Sequence, residues 1–170
     1  MAQTARYRTG FGVGNWAVRI EIEDPSTPDV LALLEQHLAD MHAESPPESV
    51  HALDVDALRA SHITFLAARG DDGTLLGVGA LAELAPGHGE LKSMRTAPEA
   101  RGRGVATAVV EALLDLARER RYERVSLETG AQPYFGAAHR LYERAGFVEC
   151  GPFGSYSLDP NSRFFTLALR

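Results

Sequence analysis

Residues 101–120 constrain the fold more than any other stretch. Arg101-Gly102-Arg103-Gly104 follows an alternating segment and Pro98, and it runs directly into Val105, Val109, Leu113 and Leu116. Apolar residues at that spacing line one face of an α-helix. Ala108, Ala112 and Ala117 flank the stripe, and Glu111, Asp115, Arg118 and Glu119 are left for water. A strand, a two-glycine turn and an amphipathic helix therefore follow one another.

The remaining elements read outward from this unit. Residues 16–22 alternate as a first strand, after an arm over residues 1–15 that Gly10, Gly12 and Gly14 make flexible. The run Gly10-Phe11-Gly12-Val13-Gly14 has neither the spacing nor the preceding strand of a dinucleotide-binding fingerprint. Val30, Leu31, Leu34, Leu38 and Met41 place a helix over 28–45, stopped by Pro46-Pro47. A short helix is expected over 53–60. Strands follow at 63–68 and 75–84, joined by the turn Asp71-Asp72-Gly73, and a third antiparallel neighbour runs over 90–96. Beyond the 104–120 helix come a strand at 125–129, a helix over 134–145 ending at Gly146, and strands at 147–150 and 164–169. The order β-α-α-β-β-β-α-β-α-β-β predicts an α/β chain, a mixed sheet carrying helices, as a single domain over residues 16–170.

Composition narrows the classes. A chain of 170 residues with 45% hydrophobic and 8% aromatic residues can bury a full core without disulfides, and it is too apolar for a disordered protein. No stretch approaches the roughly 20 apolar residues of a membrane span. The formal charge of −6 argues against nucleic-acid and membrane partners, although it leaves room for a local anion site. Cys150 is the single cysteine, and the N-terminus lacks the pattern of a signal peptide, so a cytoplasmic location is expected. No His, Cys and carboxylate cluster has metal-ligand spacing, so no metal is expected. Ser93 and Ser126 lack the G-x-S-x-G elbow of a hydrolase nucleophile. Lys92 is the only lysine beside sixteen arginines, a skew that fits genomic base composition as well as function, and no role is assigned to it.

The chemistry concentrates in residues 101–107. Gly102 and Gly104 let the backbone turn closely around a ligand, and the free N–H groups of the turn and first helical turn can cradle a pyrophosphate. Arg101 and Arg103 can add charge-assisted contacts. A tight strand-to-helix loop with solvated arginines has the same pattern.

This segment resembles the R/Q-x-x-G-x-G/A element of the GNAT superfamily of N-acetyltransferases. Leu141-Tyr142-Glu143-Arg144-Ala145-Gly146-Phe147, about forty residues downstream, is similar to that superfamily's L-Y-x-x-x-G-F element. Within it, Glu90-Leu91-Lys92-Ser93-Met94-Arg95, Leu127-Glu128-Thr129-Gly130 and Asp159-Pro160-Asn161-Ser162 are similar to the bacterial YsnE-like acetyltransferases. The resemblance implies a splayed central sheet with acetyl-CoA bound where two parallel strands part. It further implies direct acetyl transfer to a primary amine, and a homodimer. Backbone groups of Met94, Arg95 and Thr96 would then meet the pantetheine arm, and Arg101, Gly102, Arg103, Gly104, Val105, Ala106 and Thr107 the pyrophosphate. Tyr142 would protonate the departing thiolate, and Glu90 would be the general base, with Glu128 as runner-up or as an ammonium-binding carboxylate.

Each of these residues also has a packing or solvated reading. Phe135 stands where many members have an asparagine, which favours aromatic packing and leaves the acceptor pocket open. Pro133-Tyr134-Phe135 and the loop through Gly151, Pro152, Phe153, Gly154, Ser155 and Tyr156 could wall that pocket. His51 and His88 are further pocket bases or surface groups. A small amine is the favoured acceptor. A peptidyl amine is the alternative, and so is an acyl-CoA-binding regulatory protein without turnover.

Overall fold

The computed structural model describes residues 6–8 and 17–170. The expected arm falls partly outside them: Gly10, Gly12, Gly14 and Trp16 are not described, whereas Arg6–Arg8 forms a strand, β1. β1 pairs antiparallel with β2 (Val18–Ile22), so this part of the arm is an edge of the sheet.

After β2, Pro28 opens helix α1 (Pro28–Glu44) at its first turn, where proline's missing N–H costs nothing, and Pro46-Pro47 follows its end. Asp54 caps the short helix α2 (Val55–Leu58) by accepting from the Ala57 amide. Strands β3 (Ile63–Gly70), β4 (Leu75–Ala85) and β5 (His88–Thr96) form the expected antiparallel meander. Helix α3 (Val105–Glu119) buries the anticipated stripe, each aliphatic side chain contributing roughly 1.5–3 kcal/mol. β6 (Arg124–Gly130) follows. The helix expected over 134–145 is a 3₁₀ turn at Pro133–Phe135 leading into α4 (Gly136–Arg144). β7 (Val148–Cys150) and β8 (Ser162–Ala168) complete an eight-stranded sheet of order β1-β2-β3-β4-β5-β6-β8-β7.

Two details position the site. β5 and β6 are parallel and pair only from His88–Arg124 to Leu91–Leu127. Beyond Leu91 the two strands are unpaired with each other, although β6 continues along β8 to Gly130. At the same place β5 takes three steps, from Lys92 to Arg95, against two steps of β4, from Ala80 to Val78, and Ser93 has φ of 54°. This bulge adds local twist to β5 where it leaves β6. Gly79 accommodates it: a Cβ there would lie 2.6 Å from Met94 Sδ and 2.8 Å from Val109 Cγ1.

Candidate active site

The fork between β5 and β6 opens onto a cavity of about 590 Å³. Met94, Arg95 and Thr96 line it from β5. Arg101, Gly102, Gly104, Val105, Ala106 and Thr107 line it from the turn and the start of α3, and Leu141 and Tyr142 from α4. Of the residues expected at a cofactor, Arg103 alone faces elsewhere, into a neighbouring hollow with Asp72 and Glu99.

The cavity suits a long, phosphorylated ligand. Gly102 and Gly104 both adopt left-handed backbone, φ 73° and 81°, and no side chain caps α3. The first intrahelical bond is donated by the Ala108 amide, to Gly104, so the preceding amides of the turn are left for an anion. Arg95 adds a buried donor. Its side chain is 8% exposed, one terminal nitrogen bonds Asp40 at 2.5 Å, and its Nε has no partner among the described residues. An acceptor entering the cavity, such as an amide carbonyl of a pantetheine arm, would satisfy it. Tyr134 joins the Arg95–Asp40 pair at 3.4 Å from each, tying α1 to β5 beside the cavity. Burial and the Arg95 charge hold His37, on the same wall, down to about 4, so its imidazole is neutral.

Phe135 lines this cavity with an apolar ring where a polar residue would have offered a hydrogen bond. It is buried against Gly130, where an added Cβ would come within 2.1 Å of its ring. The packing anticipated from the sequence thus accounts for the aromatic at this position.

A second cavity of about 340 Å³ lies over the paired part of the fork, lined by His51, His62, Glu83, Glu90, Lys92 and Tyr156, among others. Glu90 is 4% exposed, and its Oε1 accepts from the Tyr156 hydroxyl and, at 3.2 Å, from Lys92 Nζ. Lys92 also donates to the Tyr156 oxygen at 2.8 Å. The Tyr156 ring packs edge-on to His51 and against Phe153 and Phe164, which fastens the 151–161 loop over β5. Burial and the Glu90 charge push the Tyr156 phenol up. His88 instead shares a 2.7 Å hydrogen bond with Ser126.

Glu128 is the first residue of β6 beyond the paired segment. Burial pushes its carboxyl up to about 7, opposed by the Ser162 hydroxyl and then the Lys92 charge, and reinforced by Glu90 and Asp159. Its charge contributes to the upward shifts of the Tyr142 and Tyr156 phenols. Tyr142 is 5% exposed, and burial followed by the Glu128 charge raises its phenol, which stays protonated.

A fork between parallel strands with a glycine turn and an uncapped helix on one side matches the anticipated fold, and comparison with known proteins decides the family. The model of the acetyltransferase (GNAT) family matches residues 30–147. The chain belongs to this family. It is 48% identical over 151 residues to the uncharacterized N-acetyltransferase YedL of Escherichia coli, covering 88% of this chain and 94% of YedL. It is 46% identical over 153 residues to the uncharacterized N-acetyltransferase YsnE of Bacillus subtilis, covering 89% of this chain and all of YsnE. A solved structure from Klebsiella pneumoniae, described as a "putative acyl-CoA N-acyltransferase", superposes with a TM-score of 0.77 at 28% identity, over 91% of this chain and 98% of that one. The protein is therefore an acyltransferase enzyme of the GNAT fold, and its family uses acyl-CoA.

Sequence reasoning missed Lys92 and did not single out Tyr156 from its loop. The signal for Lys92 was present in its being the only lysine, but the arginine excess offered a competing cause.

Proposed function

We propose that this GNAT enzyme transfers an acetyl group from acetyl-CoA directly to the primary amine of a small molecule. The observation that carries the reading is the position of Glu128, the first residue of β6 beyond its pairing with β5, at the fork where the cavity lined by Met94, Thr96, the 101–107 turn and Tyr142 opens. Acetyl-CoA, when bound, supplies a thioester carbon open to attack by a neutral amine.

The chain's own groups then divide the work. The amides of residues 102–107 hold the pyrophosphate, and the Met94–Thr96 segment with Arg95 Nε holds the pantetheine arm. Glu128, titrating at about 7, takes a proton from the ammonium at neutral pH. The freed nitrogen lone pair forms the N–C bond as the C–S bond breaks. Tyr142 gives its phenolic proton to the departing sulfur and recovers one from the nitrogen as the amide forms, so one proton is released overall, through Glu128. Glu90, already accepting from Tyr156 and Lys92, serves better as the fixed charge that orders this wall than as the base. A cavity of about 340 Å³ supports a small acceptor.

Steady-state thiol release with a panel of amines tests the assignment. Glu128→Gln is expected to abolish the rise in rate through neutral pH, and Glu90→Gln to lower the rate while keeping that rise. The reverse pattern would return the base to Glu90.

A further inference from the structure

The second cavity is rich in donors. Lys92 Nζ uses two of its N–H groups, on Glu90 Oε1 and on the Tyr156 oxygen, and its side chain is 12% exposed. His51 and His62 line the same space. Of the acids on this wall, Glu90 takes two donors on one oxygen and sits against Lys92, and the exposed Glu83 accepts from the Tyr122 hydroxyl at 3.2 Å. A purely cationic amine would meet the Lys92 ammonium among the lining groups, and Glu128 lies beyond, at the fork. A molecule with an ammonium at one end and an anion at the other would satisfy both ends.

We infer that the acceptor is an aminocarboxylate, a free amino acid or close relative, whose carboxylate is received by Lys92 while its amine is presented to Glu128. Lys92 is then a specificity-determining residue. A third hydrogen bond from its ammonium to the carboxylate is charge-assisted, and the Glu90 oxygen and Tyr156 hold the ammonium in place for it. An acceptor without the carboxylate leaves the third N–H of Lys92 facing an apolar group, and this mismatch is the source of discrimination. The inference rests on acetyl transfer at this fork.

The test uses matched acceptors: free amino acids, each paired with the amine that lacks its carboxylate, with acetyl-CoA saturating and thiol release as readout. Wild-type enzyme is expected to favour the amino acid in kcat/KM by about tenfold or more. Lys92→Met should erase that preference through KM for the amino acid, and Lys92→Arg should retain much of it. Thermal unfolding of both variants shows whether they remain folded. Equal or better use of the decarboxylated amines by wild type, or an intact preference in folded Lys92→Met, overturns the inference while acetyl transfer stands. If no acceptor of either kind turns over and acetyl-CoA itself fails to bind, acetyl transfer at this fork falls, and the aminocarboxylate assignment falls with it.

Discussion

Tyr142 and Glu128 carry opposite requirements in one neighbourhood: a phenol that keeps its proton and a carboxyl that gives its proton up near neutrality. Replacing Tyr142 with Phe removes the proposed proton donor and retains the ring packed against Phe147 and Phe165. The expected result is a fall in kcat of about 10²-fold with little change in acetyl-CoA affinity, measured by steady-state kinetics and calorimetry. Glu128 also makes a prediction about stability. Its folded value of about 7 lies above the ordinary 4.5, so the folded state binds the extra proton between those values. Its contribution is therefore full below about 4.5 and is lost as pH rises through about 7. Glu128→Gln should be more stable than wild type at pH 8, by about 3 kcal/mol at most, with the difference shrinking toward pH 5, as followed by urea unfolding. At the same scale, the family resemblance pointed to Glu90, Glu128 and Tyr142 and ranked Glu90 ahead of Glu128 as the base, the reverse of the order proposed above. What separates them is burial and partners: Glu90 is engaged by Lys92 and by Tyr156, 66 residues away in sequence, a contact that no local pattern encodes.

Turn and helix act together at the next scale. Gly104 sits at φ 81° with open space where a Cβ would be, so Gly104→Ala meets no clash but must hold a left-handed backbone. That costs about 1–2 kcal/mol, and relaxation of the turn should weaken acetyl-CoA binding severalfold, as calorimetry would show. Gly79→Ala is different, because its Cβ would press on Met94 and Val109. Overpacking there should cost about 1–3 kcal/mol in thermal unfolding. The glycine turn and α3 were legible in the sequence because their determinants are local: glycine spacing and a period of 3.6. The bulge at Ser93 was not, since a serine at positive φ is imposed by the register of β4 against β5. The strand Arg6–Arg8 was likewise missed, because a three-residue edge strand carries too little alternation to read and is specified by its pairing with β2.

Across the molecule, the parting of two parallel strands is the feature that makes a site. β6 remains hydrogen-bonded to β8 while β5 stays with β4, so neither strand is left without a partner as the two diverge. The fork can therefore be lined by backbone and still be stable. The element order along the sequence announced the mixed sheet, but the divergence depends on where pairing stops, at Leu91 and Leu127, which only the assembled sheet determines. The most direct test of the account is calorimetric titration of ligand-free protein with acetyl-CoA. Saturable binding near one to one, weakened in Gly104→Ala and preserved in Tyr142→Phe, is the predicted result. No heat at two temperatures, together with no protection against thermal unfolding by acetyl-CoA, would contradict it.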